Sequence, residues 1–115
     1  MKPPTVFSLQ NLLSVIEAEP LTGAATADVG GCYISDLLSD VLAHAAPGVL
    51  WVTIQTHRNV VSVASMKDIS AVLITRARKL DPQTLAEAEE AGVTVLSTPL
   101  SSFEAAGKLW EAGLR

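Results

Sequence analysis

Two histidines and one cysteine are the side chains of this 115-residue sequence best suited to acid–base, nucleophilic or zinc chemistry. His44, His57 and Cys32 lie far apart, and a lone cysteine forms neither an internal disulfide nor a structural metal site. Cys32 is interpreted as a small core residue and His44 as an ordinary helix residue. His57 is the one candidate acid or base, but no orienting carboxylate accompanies it in sequence. The sequence therefore predicts no metal site and no catalytic residue.

Nucleotide-binding and hydrolase motifs are also missing from the sequence. A P-loop requires Gly-Lys-Ser/Thr, whereas Gly107-Lys108 is followed by Leu109. The pair Gly30-Gly31 does not make a Gly-x-Gly-x-x-Gly dinucleotide fingerprint, and no Gly-x-Ser-x-Gly nucleophile elbow occurs. We predict that the chain is not a kinase by itself and carries no cofactor.

Polar residues do follow the apolar runs, where the carboxyl ends of parallel strands would place a ligand site. Helix N-termini at such an edge present free amides, which suit an anionic metabolite or a nucleotide phosphate. The candidate ligand-binding residues are Gly30, Gly31, Ser35, Asp36, Gln55, Thr56, His57, Asn59, Thr75, Arg76, Ser97 and Thr98. The competing interpretation is that the hydroxyl residues only cap or turn the chain, while the arginines form a solvated rim.

Charge is distributed unevenly along the chain. The segment 53–80 holds five cations against one carboxylate, Asp68, so it carries +4 and leaves −8 to the rest of a chain of net charge −4. The acidic total and an aromatic content of 4% disfavour nucleic-acid binding, which needs basic surfaces and exposed aromatic faces. The basic segment adds positive charge near the polar loops and supports the anion hypothesis.

The elements that position these residues follow from periodicity and caps. Predicted strands are Gly30–Ile34, Val49–Ile54, Ala71–Thr75 and Val93–Leu96, with a short extended piece at 20–23 and a loop at 23–28. Predicted helices begin at Ser8, at Ser35 or Asp36, near Arg58 with Thr56 as a cap, at Asp81-Pro82, and at Ser101 with Glu104 as a capping box. The second helix is expected to bury Leu37, Leu38, Val41, Leu42 and Ala45, and the last one Phe103, Ala106 and Trp110.

Alternation of strands and helices after residue 49 demands a largely parallel sheet with helices on its faces. With 49% hydrophobic residues the chain can build a real core, and its length fits one domain, residues 1–115. We therefore predict an α/β fold, a three-layer α/β/α arrangement around a mostly parallel, or mixed, sheet. The apolar runs are too short to span a bilayer, and no secretory signal is evident, so a cytoplasmic location without membrane contact is expected.

Several segments together resemble a known family, the stand-alone DRTGG-domain proteins, which are similar to the N-terminal domain of bacterial HPr kinase/phosphorylase. The resemblance covers about Ser8 to Leu114, and its most specific parts are Gly-Gly-x-Tyr-x-Ser-Asp at 30–36 and Gln-Thr-His at 55–57. The Asp-Arg-Thr-Gly-Gly string itself is not present, and Thr75-Arg76-Ala77-Arg78 stands where small and glycine residues are more usual. The resemblance implies an α/β fold and a regulatory role, because the kinase P-loop belongs to a separate domain.

Three functions remain open at this stage. The first is a non-catalytic regulatory domain that senses a small anionic metabolite or nucleotide at the carboxyl edge of the sheet. The alternative is an interaction or oligomerisation module without a small ligand, expected to be a homodimer, in which Phe103 and Trp110 serve the core or an interface. The third, and the least favoured, is a small enzyme that uses His57 with Gln55 and Asn59.

Overall fold

The most apolar segments of the sequence form the middle of a sheet. In the computed structural model, which describes residues 6–23 and 27–115, the strands are β1 (Phe7–Ser8), β2 (Glu19–Pro20), β3 (Asp28–Val29), β4 (Gly31–Ile34), β5 (Val49–Thr53), β6 (Ala71–Ile74) and β7 (Val95–Ser97). The helices are α1 (Leu9–Val15), α2 (Leu38–His44), α3 (Asn59–Met66), α4 (Pro82–Ala91) and α5 (Ser102–Glu111). Every residue of β5 and β6 is buried, as expected for strands covered on both faces.

The main sheet has the strand order β2-β7-β6-β5-β4, in which β4 to β7 are parallel and β2 is antiparallel to β7. Each successive parallel strand lies beside the previous one in the same direction. Right-handed crossovers therefore place α2, α3 and α4 on one face, while α1 and α5 cover the other. The predicted three-layer α/β/α fold with a mostly parallel, mixed sheet is confirmed.

Two separate cores result from this layering. Alternation along β5 sends Trp51 toward the α2–α4 layer and Leu50 and Val52 toward the α1–α5 layer. Trp51 is fully buried, and its indole Nε1–H donates to the Ser35 carbonyl at 2.9 Å. Within the described residues, no helix is long and apolar enough to cross a membrane.

Local signals in the second half of the chain are confirmed in detail. Asp81 caps α4 by accepting the Thr84 N–H, and Pro82 occupies the first helical position. Gly92 ends α4 in the left-handed region at φ 73°, where glycine is favoured. Ser101 and Glu104 form the predicted capping box of α5.

The start of α2 differs from the prediction. The helix begins at Leu38, and neither Ser35 nor Asp36 caps it. The Ser35 hydroxyl accepts the N–H of Leu37, the residue directly before the helix, and the Asp36 carboxylate bonds the end of β5 instead. Val41 and Ala45 are buried, whereas Leu37 and Leu42, which were predicted to be in the core, are exposed.

The predicted buried face of α5 is also wrong. Phe103 is 87% exposed and Trp110 63% exposed, whereas Ala105 and Leu109 pack into the core. Both sets fit a helical period, and the sheet packs against the side of α5 that carries Ala105 and Leu109. Ala106 is half-buried between the two faces.

Smaller shifts have identifiable causes. The last strand begins at Val95 rather than Val93, since the Val93 N–H closes the end of α4 on the Ala88 carbonyl. Thr56 does not cap α3; His57 serves its first turn. The antiparallel ribbon of β1 and β3 was not predicted from sequence. Residues 24–26 of the predicted 23–28 loop lie outside the described residues.

Candidate functional site

The carboxyl ends of β4, β5, β6 and β7 lie along one edge of the main sheet and bring most of the predicted ligand residues to that edge. Ser35 and Asp36 follow β4, and Thr75 and Arg76 follow β6. Gln55, Thr56 and His57 lie between β5 and α3, which begins at Asn59. Ser97 is the last residue of β7, and Thr98 follows it. Gly30 and Gly31 do not belong there. Gly31 begins β4 and Gly30 directly precedes it, at the opposite, amino edge, where the Gly30 N–H donates to the Gly48 carbonyl.

Asp36 ties the first two of these loops together. Its Oδ1 accepts the Thr53 hydroxyl at 2.8 Å and the Ile54 N–H at 2.9 Å. The carboxylate is therefore engaged in holding the β4 and β5 ends in register. Asp36 Oδ1 therefore positions the loops beside the predicted site.

The β5–α3 loop is organised around the His57 ring. Nδ1 of His57 accepts the Asn59 N–H at 3.0 Å, and the Gln55 side-chain oxygen accepts the His57 N–H at 3.4 Å. An accepting Nδ1 leaves the proton of the neutral ring on Nε2. His57 is exposed and so offers an N–H donor at the surface of the edge.

Two backbone amides of the same loop have no partner. None of the hydrogen bonds among the described residues uses the N–H of Thr56 or Arg58. These amides lie just before α3, where the helix dipole favours negative charge. The loop therefore combines unpaired amides, a ring N–H and a guanidinium within a few residues.

A cleft of about 350 Å³ opens between this loop and the start of α4, lined by Thr56, His57, Arg58, Asp81, Gln83, Thr84 and Glu87. Arg58 spans it and pairs with Glu87 at 3.2 Å. Hydrogen bonds from the Thr84 N–H and hydroxyl hold the pKa of the Asp81 carboxyl below its usual range. Sequence reasoning missed the α4 side of the cleft. The Asp81-Pro82 start signal could have found it, because a helix that follows a parallel strand begins at this edge.

The loop after β6 retains a glycine-like backbone without glycine. Arg76 and Ala77 have φ of 62° and 57°, in the left-handed region that glycine, which has no Cβ, adopts most readily. Their N–H groups donate to the Leu100 and Thr98 carbonyls at 2.9 and 2.7 Å. Neither amide is free for an anion, so this loop contributes only its exposed arginine side chains.

The hydroxyl groups at the end of β7 form hydrogen bonds within the fold. Thr98 is fully buried; its Oγ1 donates to the Ile16 carbonyl at 2.6 Å and accepts the Leu100 N–H. The Ser97 hydroxyl donates to the Arg78 carbonyl at 2.9 Å, and Thr75 is buried at the end of β6. For these residues the structure matches the capping and turning interpretation of the sequence. The residues that the structure brings together with open donors are Thr56, His57 and Arg58, with Gln55 and Asn59 supporting the loop.

Cys32 and His44 lie outside the cleft. Burial raises the pKa of the Cys32 thiol to about 11, which keeps the thiol protonated at neutral pH. His44 contacts Asp40 on the surface of α2, and Asp40 also accepts the Tyr33 hydroxyl at 2.8 Å. Across the described part of the chain, no group of three or more ligating side chains could hold a metal ion.

Comparison with models of protein families shows the family of this chain. The family model of the DRTGG domain matches residues 11–112. The chain belongs to the DRTGG-domain family. The matched region includes the loop after β6, in which Arg76 and Ala77 have a positive φ. A comparison with curated protein sequences finds no match.

A solved structure shares the fold of this DRTGG domain. It is the crystal structure of the CBS and DRTGG domains of the regulatory region of Clostridium perfringens pyrophosphatase, complexed with its activator, diadenosine tetraphosphate. The two structures superpose with a TM-score of 0.74 at 17% sequence identity, over 89% of this chain. The chain spans 45% of the length of that structure.

Proposed function

We propose that this DRTGG domain is a regulatory, ligand-sensing domain that binds a small anionic metabolite or nucleotide at the carboxyl edge of its sheet. The observation that carries the proposal is the set of open donors on the β5–α3 loop, namely the Thr56 and Arg58 amides and His57 Nε2–H. Unpaired donors beside a helix amino end favour an anion. The 350 Å³ cleft is large enough for a phosphate-bearing group.

The shared fold supports the class of ligand. The similar pyrophosphatase region is regulatory and was crystallised with a nucleotide polyphosphate activator. A phosphate chain matches the chemistry of the donors in this cleft. The cytoplasm, where such nucleotides are abundant and the lone Cys32 stays reduced, is the proposed location.

The same geometry argues against the enzyme alternative. The lone pair of His57 Nδ1 is engaged by Asn59, and Nε2 carries the proton, so the neutral ring has no free basic nitrogen to accept one. The Gln55 side chain bonds the His57 backbone N–H rather than the ring, and no carboxylate among the described residues bonds His57. We therefore assign His57 a binding role and propose that the domain is non-catalytic.

Arg58 gives this proposal its sharpest test. The Arg58 guanidinium pairs with Glu87, so a phosphate must compete with that carboxylate. Arg58→Gln is expected to weaken binding about 10-fold or more, since charged hydrogen bonds contribute about 1.5–3 kcal/mol. Glu87→Gln frees the guanidinium and is expected to tighten binding several-fold.

The measurement is thermal stability during titration with ATP, ADP, diadenosine tetraphosphate and inorganic phosphate. At 100 times Kd a ligand stabilises by about 2.7 kcal/mol, or roughly 10 °C for a domain of this size. Lys67→Gln is the matched control, because it removes one cation at the far end of α3 and should leave the shift unchanged. No shift with any of the four ligands would refute the proposal.

Protein interaction remains a second candidate role, and one observation favours it independently. Phe103, Trp110 and Met66 are large apolar side chains with more than half of their surface exposed. Isolated exposed apolar residues are ordinary, but a contiguous set marks an interface. Phe103 and Trp110 belong to one helix face, whereas Met66 lies on the opposite layer.

A further inference from the structure

The two walls of the cleft between the β5–α3 loop and α4 differ in polarity. The loop wall, formed by Thr56, His57 and Arg58, presents N–H donors and a guanidinium. The α4 wall carries the carboxylates of Asp81 and Glu87. A ligand that fills the cleft therefore contacts hydrogen-bond donors on one side and negative charge on the other.

The α4 wall presents mainly hydrogen-bond acceptors. Asp81, Thr84 and Glu87 recur every three residues, which puts them on one side of the helix start. The Thr84 N–H and hydroxyl both donate to the Asp81 carboxylate, at 2.9 and 3.0 Å, so neither donor is left for a ligand. These bonds hold the pKa of the Asp81 carboxyl below its usual range, which keeps the group ionised at neutral pH. Apart from Gln83, the side chains that line this wall offer acceptors.

The two helix starts at the cleft differ in the same way. Asp81 caps α4 and supplies the negative charge that a helix start favours. The first turn of α3 holds no acidic residue, and the Thr56 and Arg58 amides before it bond no other described residue. An anionic group is therefore favoured beside α3, whereas the carboxylates of α4 favour a cationic one.

Arg58 and Glu87 form an ion pair across the cleft, with Nη2 3.2 Å from Oε1. A ligand that takes Arg58 as its partner removes the guanidinium from Glu87. A simple anion would then leave the carboxylate unpaired and close to a second negative charge. A ligand that also carries an ammonium group exchanges partners instead: its anionic group pairs with Arg58, and its ammonium pairs with Glu87. One ion pair becomes two, and neither side chain loses its partner.

We infer that the ligand of this cleft is a small phosphate that also carries an ammonium group, with the phosphate at the β5–α3 loop and the ammonium at Glu87. Glu87 is then a specificity-determining residue, because it attracts the ammonium and repels phosphates that lack one. This inference rests on the proposed function and narrows the small anionic ligand to one that carries both charges on a short chain.

Two probes of the same frame test the inference by NMR titration of the backbone amides. O-phosphoethanolamine and ethyl phosphate both hold a phosphate on a two-carbon chain, and only the first has an ammonium group. The wild-type domain is expected to bind O-phosphoethanolamine about 5-fold more tightly, the upper end of what an exposed ion pair contributes. The Thr56 and Arg58 amides should shift with both probes.

The outcomes of this titration separate the inference from the proposed function. Equal affinities, or tighter binding of ethyl phosphate, overturn the inference, while shifts of the Thr56 and Arg58 amides would leave the anion site standing. No shift of these amides with either probe also overturns the inference. The thermal titration with nucleotides and inorganic phosphate then decides the proposed function by itself.

Glu87→Gln identifies the group that distinguishes the probes. The substitution keeps the size of the side chain and removes its charge, so the two affinities should come within about 2-fold of each other. Glu90→Gln removes a carboxylate from the exposed surface of α4 outside the cleft, and should leave the preference unchanged. A preference that survives Glu87→Gln overturns the role of Glu87. The amide spectrum of each variant shows whether its fold is intact.

Charge reversal at the same position gives a readout that a merely structural role would not move. Glu87→Lys places a cation on the α4 wall, so it should repel the ammonium group and attract the phosphate. The preference is expected to invert, with ethyl phosphate bound more tightly than O-phosphoethanolamine. A Glu87→Lys domain that keeps its fold and still prefers O-phosphoethanolamine overturns the inference.

Discussion

Asp36 shows how a single side chain can organise the edge that the proposed ligand uses. Its Oδ1 accepts hydrogen bonds from a hydroxyl and an amide at the end of β5, up to 18 residues away. These two hydrogen bonds join the β4–α2 loop to the end of β5. A residue of this kind positions the β5–α3 loop by fixing the point at which β5 ends.

Asp36→Ala is expected to destabilise the domain by about 1–2 kcal/mol, because it removes a charged acceptor from two donors. Urea unfolding followed by circular dichroism measures the change. Glu90→Ala removes a carboxylate from the exposed surface of α4 and should alter stability by less than about 0.5 kcal/mol. Equal effects of the two variants would contradict the positioning role.

Ala77 lies in a backbone conformation that its Cβ opposes. The left-handed region costs a non-glycine residue about 1–2 kcal/mol, while glycine loses roughly 0.5–1 kcal/mol of unfolded-state entropy. Ala77→Gly is therefore expected to raise the free energy of unfolding slightly, by up to about 1 kcal/mol. Ala86→Gly in the exposed middle of α4 should lower it by about 1 kcal/mol, measured in the same urea titration.

At the scale of elements, carboxylates at the starts of α4 and α5 make the stability of the fold depend on pH. The Ser101 N–H and hydroxyl hold the pKa of the Glu104 carboxyl below its usual value of 4.5, as Thr84 does for Asp81 below 3.8. A lower pKa in the folded state means that the unfolded chain binds protons more readily. The stabilisation is therefore complete above the usual values and is lost as pH falls through the lowered ones.

Glu104→Gln should flatten the loss of stability below pH 4.5, since glutamine keeps the capping-box hydrogen bond but does not titrate. Thermal unfolding between neutral pH and pH 3 gives the comparison. Glu90→Gln removes the same charge outside any helix cap and should leave the wild-type profile intact. A Glu104→Gln profile that falls as steeply as wild type would exclude this cap as a source of acid sensitivity.

At the scale of the whole molecule, the two cores share one sheet and should unfold together. Leu73 and Ile74 are adjacent on β6, both fully buried, and face opposite layers. Each substitution by alanine is expected to cost about 2–5 kcal/mol through lost burial and the remaining cavity. Met66→Ala at an exposed position should have little effect.

Both variants should retain a single transition, with far-ultraviolet circular dichroism and the fluorescence of buried Trp51 changing at the same urea concentration. Such coincidence follows because removal of either helix layer exposes the same strands. Two separated transitions in either variant would show that the α1–α5 layer and the α2–α4 layer are independent units.

The sequence by itself determined the elements whose signals are local. Continuous apolar runs predicted β5 and β6, the Asp81-Pro82 pair predicted α4, and Ser101 with Glu104 predicted the start of α5, since each depends on backbone hydrogen bonds and caps within a few residues. Alternation of these elements was enough for the layered α/β/α fold. The polar loop at 55–59 was likewise placed at the correct edge of the sheet.

Tertiary structure decided which side chains are buried and which polar groups bond within the fold, where the sequence allowed two arrangements equally well. Phe103 and Trp110 fit a buried helical face as well as Ala105 and Leu109 do, and only the approach of α5 to the sheet chose between them. Thr98 and Thr56 are both polar residues that follow a strand. The Thr98 hydroxyl donates to the Ile16 carbonyl, whereas Thr56 borders an open cleft. Periodicity and residue type fix what a side chain can do; long-range packing decides which contact it makes.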